Sequence, residues 1–474
     1  MTTMRTLIHN ASVVTVDARQ RVFDPGFVVI EGPLITAVGP ERDLPIGQFD
    51  RTIDAKGMVL TPGLINMHQH LHLHLLKGLA DGLLLEPWVF TLTMPFRPHI
   101  DAQALQMATQ LGTLEMLRTG TTCVLNHHGQ FEIAGFREMA IDTMGSLGIR
   151  HLLALPFQCR TPKQPEFPYS AQEASDRLAS FIASHDGAWN GLTRLGLVVE
   201  CNAHHTALGR SSDELVMAGY QLAVERDLRI AVHMSGGTLS MSMGFTKYRR
   251  QTGRSDVEYL AKLGVLDKRW ILKHGIHFSD ADMAAVQQSG ASVVYTPTSE
   301  AVRGGGFGPW TQMRRLGINC ALGSDGPAVD YSVDMVEQMR ACCYLQAARY
   351  RDGSTLSAYD ALEMATIDAA RALGMNEEIG SIECGKQADL VLFDLSRPHQ
   401  QMVSDPVLRL VRTGRGTDAH TVFVQGVARV EGGKLTQGID LDDFLHRARD
   451  KARKAVEQAG LTGRAQPQWA KSTT

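Results

Sequence analysis

A chain of 474 residues, 44% hydrophobic and 20% charged, can bury a large core and has room for more than one domain, which excludes intrinsic disorder. A net charge of −3 gives no reason to expect nucleic acid as a partner, and no run of about 18 apolar residues predicts a membrane span. Residues 1–6 lack the apolar core of a signal peptide, and seven cysteines without a CxxC pair read as reduced, buried small hydrophobes, so a cytoplasmic protein is expected.

Residues 1–57 read as short strands and turns: 6–16, 27–31 and 34–38 are β-rich, broken by Asp24-Pro-Gly and Glu31-Gly-Pro. From Met58 to Gly326 apolar runs alternate with helix-like stretches. Eight strand candidates fall at 58–68, 121–125, 152–157, 195–201, 229–233, 270–274, 291–295 and 320–323. Helical patterns at 102–118, 131–147, 170–184, 212–226, 256–263, 280–289 and 310–316 lie between most of them. Repeated strand-then-helix units predict an α/β fold built on a (β/α)8 TIM-like barrel. The rival, a doubly wound sheet, would bring a glycine-rich phosphate turn after its first strand, and none is present. Two further helices, 334–349 and 357–373, precede renewed β texture at 389–394 and 421–430. Residues 1–57 and 380–437 are expected to pair into one small β domain, with the barrel, 58–379, inserted between them. The remainder, 438–474, carries a charged helix at 440–460 and a loosely held tail.

The first barrel strand ends in His68 and His70. Residues i and i+2 of a strand face the same side, so both imidazoles can reach one point, and neutral imidazole is a common metal ligand. A barrel carries its reactive groups at the C-terminal ends of its strands. The fifth strand ends at His233, the sixth at His274 and the eighth at Asp325. A lone His at a strand end is ordinarily a polar rim residue; the coincidence of all five groups argues for a single divalent ion with a position open to water. Such an ion lowers the pKa of bound water to roughly 7. Asp325 is then expected both to ligate and to carry the water's proton to the leaving group. His274 either polarises the electrophilic bond or orients the attacking water.

Other residues border on this chemistry. His72 and His74 extend the alternation but fall in the following loop. His127, His128, His204 and His205, after the second and fourth strands, either contact substrate or line a polar pocket. The glycine-rich stretch 301–310 is expected to close the pocket, with Phe307 and Trp310 as apolar walls and Trp88 as a further substrate contact. Arg303 either binds an acidic group or lies in solvent.

Four motifs, Thr61-Pro-Gly-Leu-Ile-Asn-Met-His-Gln-His70, Lys273-His-Gly275, Gly323-Ser-Asp-Gly326 and Gly385-Lys-Gln-Ala-Asp-Leu-Val-Leu-Phe-Asp394, resemble the amidohydrolase superfamily. The likeness is closer to the branch holding atrazine chlorohydrolase, cytosine and guanine deaminases and thiocarbamate hydrolases, and residues 363–374 are especially similar to the chlorohydrolase. The resemblance implies a distorted (β/α)8 barrel, a β-sandwich in two segments, and one divalent ion, zinc foremost, with iron, cobalt or manganese as alternatives. It assigns ligands to His68, His70, His233 and Asp325 and a catalytic role to His274. It also implies a homo-oligomer acting on a small molecule.

Two departures bear on substrate. That branch usually places Glu three residues after the fifth-strand His, where this chain has Gly236. It often has His-x-Pro-Thr-Ser-Asn after the seventh strand, where this chain has Tyr295-Thr-Pro-Thr-Ser-Glu300. Both changes remove groups that serve heteroaromatic deamination. The fourth strand offers Glu200 but no Lys to bridge two metals, which favours one ion. The expected reaction is therefore hydrolysis of a C–N or C–S bond in a small, fairly apolar amide, urea, carbamate or thiocarbamate. One alternative is an aminohydrolase or chlorohydrolase acting on a heteroaromatic ring, with His205 or Glu300 replacing the missing Glu. The other is a non-catalytic binding protein on a hydrolase scaffold, against which the intact ligand set argues.

Overall fold

The computed structural model describes residues 4–129, 135–161, 165, 167–202, 205–206, 210–237 and 244–465. Two sheets organise them. Strands β1 (Arg5–Val14), β2 (Val22–Glu31), β3 (Leu34–Pro40), β4 (Arg51–Asp54) and β5 (Met58–Pro62) join β14 (Leu390–Asp394), β15 (Ala419–Val424), β16 (Val427–Glu431) and β17 (Lys434–Leu435) in one mixed sheet built from both ends of the sequence. The other sheet is parallel throughout. It runs in chain order through β6 (Leu64–Gln69), β7 (Thr121–His127), β8 (Arg150–Pro156), β9 (Thr193–Val198), β10 (Ile230–Met234), β11 (Trp270–His274), β12 (Ser292–Tyr295) and β13 (Cys320–Leu322). This is the expected eight-stranded barrel.

Every residue of β6, β7 and β8 is buried, as a parallel sheet covered on both faces requires. Alternate residues turn inward: Ile65 and Met67 of β6, Cys123 and Leu125 of β7, and Leu152 and Ala154 of β8 share one apolar cluster. Ala369, Ala370 and Leu373 of the helix Ile367–Leu373 join that cluster and plug the barrel floor. The chlorohydrolase-like stretch 363–374 thus has a packing role. Outer helices start on sequence signals: Ser170, Ser255, Ser279 and Ser357 each form a capping box with the acidic residue three positions on. The charged C-terminal helix runs Leu441–Gln458 behind its N-cap Asp440. Among the described residues no helix is long and apolar enough to cross a membrane.

The apolar run expected as one strand at 58–68 folds as two. Its first half, β5, pairs with β14 and β1 in the mixed sheet; its second half, β6, opens the barrel. Both halves are buried, so hydrophobicity alone does not mark the change. Gly63 does. A Cβ there would lie 2.0 Å from Thr122 Oγ1 and 2.5 Å from its Cγ2, so only glycine lets the backbone pass at this hinge. Gly63→Ala is expected to destabilise the protein by about 1–3 kcal/mol through overpacking. Thermal unfolding with an unshifted midpoint would contradict this. Beside the hinge, Arg150 of β8 pairs with Asp389 at 2.7 Å, fully buried, and Asp389 also accepts the Gln425 N–H at 2.8 Å, tying barrel to mixed sheet.

The barrel closes where β13 meets β6. A bridge between Gln69 and Asp325 makes the join, and the Asp325 N–H donates to the His68 carbonyl at 2.9 Å. Side chains complete the seam: Asn66 Nδ2 and Gln69 Nε2 donate to Ser324 Oγ at 2.7 and 2.9 Å, and the Ser324 N–H donates to Asn66 Oδ1 at 3.1 Å.

Candidate active site

The barrel's C-terminal rim brings together the five residues expected there. His68 Nε2 lies 3.2 Å and His70 Nε2 3.5 Å from Asp325 Oδ1, and His70 Nε2 lies 3.2 Å from His233 Nε2. The His274 ring centroid is 5.3 Å from that of His68 and 5.4 Å from that of His233. His274 and Asp325 hold positive φ, 78° and 66°, an uncommon backbone state for residues with side chains and one concentrated at functional sites.

These groups fit a divalent cation. Both ring nitrogens of His68 and Nδ1 of His70 are buried without a hydrogen-bond partner, which is costly unless something else engages them. Ligand atoms of His68, His70 and Asp325 lie within 4.8 Å of one another. Burial holds His68 well below the usual imidazole range, with Lys273 adding to the shift, and lowers His70 to about 3, so both are neutral, the form that ligates. Burial alone would raise the Asp325 pKa, but contact with His68 and His274 and the permanent charge of Arg303 hold it well below the ordinary carboxylate range. Imidazole nitrogens with one carboxylate oxygen suit zinc and its neighbours among first-row metals.

Around this centre lie partners whose mutual contacts local sequence does not reveal. His233 Nδ1 donates to Glu200 Oε1, which lies 3.1 Å from His127 Nε2; His127 Nδ1 lies 2.7 Å from Lys273 Nζ. Lys273 is fully buried, and burial lowers its pKa to about 7. On the other side, His274 Nδ1 donates to Glu300 Oε1 at 2.8 Å, and Arg303 also binds Glu300. Ser299 Oγ donates to Asp325 Oδ2 at 2.8 Å. Glu300→Gln is expected to reduce kcat roughly 100-fold at unchanged metal content, because the carboxylate that fixes the His274 tautomer is lost. Steady-state kinetics paired with metal analysis checks this, and an unchanged kcat would remove Glu300 from the mechanism.

A cavity of about 290 Å³ opens above the cluster. Trp88, His128, His205 and Arg303 line it, as do Leu85, Val89, Phe90 and Met94, which form an apolar lip, and Glu86, Asn202, Gly236 and Gly237. His72, expected in a loop, lines it too, whereas His74 is a core residue with Nδ1 on the Leu71 carbonyl. His204 lies outside the described residues. Two expectations for the 301–310 stretch need correction. Trp310 is fully buried and stacks on Tyr295 at 4.5 Å, so it belongs to the core and not to the pocket wall. Phe307 is 41% exposed and stands away from the cavity, its carbonyl bound by Arg349. Of the two alternatives for Arg303, the structure takes the acidic partner: it is buried, paired with Glu300 and 3.9 Å from Asp325, on the cavity lining.

A sequence profile described as "Amidohydrolase family" matches residues 59–429. The 5-methylthioadenosine/S-adenosylhomocysteine deaminase of Acetivibrio thermocellus is 30% identical over 454 residues, covering 96% of this chain and 100% of the relative. The Thermoanaerobacter pseudethanolicus deaminase of the same description is 29% identical, with the same coverage. Among solved structures, an adenosine deaminase from Xanthomonas campestris with bound zinc superposes with a TM-score of 0.85 at 27% identity, over 96% of this chain and 99% of the other. Atrazine chlorohydrolase from Arthrobacter aurescens with zinc gives 0.84 at 24% identity, over 94% and 100%, a likeness of fold.

Proposed function

This chain belongs to the amidohydrolase family, and from that premise we propose that it is a zinc-dependent hydrolase displacing an amino or similar leaving group from a heteroaromatic ring. Metal dependence and hydrolysis of C–N bonds come with the family. The observation that carries the ring assignment is similarity along 96% of the chain to a 5-methylthioadenosine/S-adenosylhomocysteine deaminase. The comparisons therefore favour ring chemistry over the cleavage of an amide, urea, carbamate or thiocarbamate that Gly236 suggested. A non-catalytic role is set aside on the same grounds.

The case against ring chemistry was a missing carboxylate, yet one stands close by. Glu86 Oε1 is 3.3 Å from where a Cβ on Gly237 would lie, and Glu86, Gly236, Gly237 and His274 border the same cavity. In this reading Glu86 exchanges a proton with a ring nitrogen. Glu300 is committed to Arg303 and His274 and is not needed for that step.

His68, His70, His233 and Asp325 would hold the ion, which when bound supplies Lewis acidity and ionises water at neutral pH. Asp325, kept anionic by the positive charge around it, accepts a proton from the attacking water and returns it to the leaving group. With its Nδ1 proton on Glu300, His274 turns Nε2 toward the reacting centre. Trp88 and its apolar neighbours give a flat ring a surface to stack on and exclude water.

The test is a substrate panel on the zinc-loaded protein: 5-methylthioadenosine, S-adenosylhomocysteine, adenosine and atrazine against N-alkyl carbamates and anilides. Ammonia or chloride release from a ring compound is expected. Carbonyl cleavage with no attack on any ring would overturn the proposal.

A further inference from the structure

A buried line of three side chains, Lys273, His127 and Glu200, runs beneath His233 and uses none of the atoms the mechanism above requires. Lys273 Nζ, from the end of β11, lies 2.7 Å from Nδ1 of His127, at the end of β7. An amine donates to an unprotonated ring nitrogen, so the His127 proton sits on Nε2. That Nε2 lies 3.1 Å from Glu200 Oε1, just past the end of β9. The same oxygen accepts from His233 Nδ1. Oε1 of Glu200 thus sits between two ring nitrogens, Nε2 of His127 and Nδ1 of His233, and a carboxylate oxygen can accept from both. Each step fixes the next, and the line ends with the His233 proton on Nδ1 and its Nε2 lone pair facing His70. The arrangement also separates His127 from the ligands. Nitrogens of His68, His127 and His233 lie within 4.8 Å of one another, as ligands would, but both His127 nitrogens are already engaged.

We infer that Glu200, with His127 and Lys273 behind it, is a positioning residue that fixes the tautomer and aim of His233 toward the metal. The inference rests on the metal-dependent reading above. Outer partners that hold a ligating histidine typically matter 10- to 100-fold in metal affinity. A carboxylate present only to neutralise Lys273 would affect stability and leave affinity alone.

The experiment measures zinc affinity of the full-length protein by competition with a chromophoric chelator, with thermal midpoints of the zinc-free proteins recorded alongside. Glu200→Gln and His127→Asn are each expected to raise the zinc Kd roughly 10- to 100-fold, with Glu200→Asp in between. In ¹⁵N-histidine-labelled, zinc-free protein, the His233 proton is expected on Nδ1 in the wild type and redistributed in Glu200→Gln. Folded variants that bind zinc within about twofold of wild type, or an unchanged His233 tautomer, would overturn the inference. Should Glu200→Gln fail to fold, His127→Asn and Glu200→Asp decide it by the same readouts. A wild-type protein that takes up no zinc is a different result: it rejects the metal-dependent reading itself.

Discussion

Replacing Asp325 with asparagine is expected to lower kcat/KM on the order of 10⁴-fold while leaving the protein folded. The two side chains are nearly isosteric, and asparagine, like aspartate, tolerates the positive φ of 66° at this position. The backbone N–H of residue 325 still reaches the His68 carbonyl, and Ser299 Oγ still finds an acceptor. What disappears is the negative charge between His68, His70 and Arg303, and with it the only proton acceptor assigned to the attacking water. Loss of charge weakens metal binding and loss of basicity stops proton transfer, so the two effects compound. Kinetics at saturating zinc isolates the second. Activity within tenfold of wild type in a variant of normal midpoint would dismiss Asp325 as the base.

Removal of the metal is expected to have the second-largest effect. Dialysis against a strong chelator should abolish turnover, and zinc should restore it. Stability should fall as well. A ligand at 1,000 times its Kd contributes about 4 kcal/mol to the folded state, and without it both His68 ring nitrogens and His70 Nδ1 are buried with no hydrogen-bond partner. The apo protein is therefore expected to melt several degrees below the zinc-loaded form in differential scanning calorimetry. Full turnover in the presence of chelator, with metal analysis showing an empty site, would refute this account of the cluster.

How far the site was legible follows from which residues obey a period. His68 and His70 lie two apart at a strand end, and His233, His274 and Asp325 end recognisable apolar runs, so barrel geometry alone predicts their convergence. Glu86 and the apolar lip were not legible. They lie in short irregular turns between Leu71 and His99, including single-turn segments at Leu85–Trp88 and Val89–Thr93, where no repeat of 2 or 3.6 residues marks a face. Trp310 was misread because a glycine-rich approach suggests a mobile flap, whereas the residue opens the helix Trp310–Arg315 and points inward to Tyr295. Glu200 and Lys273 were in view as letters at strand ends. Their significance depends on a third side chain, His127, arriving from another strand, and that juxtaposition has no trace in local sequence.

The seam has a consequence for the timing of assembly. His68 and Asp325 flank the join between the first and last strands of the barrel. During synthesis on the ribosome the histidine pair emerges early and waits, because its carboxylate counterpart is translated only when the eighth strand is made. The His68–Asp325 pair therefore exists only in a cylinder that has closed, and a nascent chain stalled before Ser324 has no Asp325 to complete it.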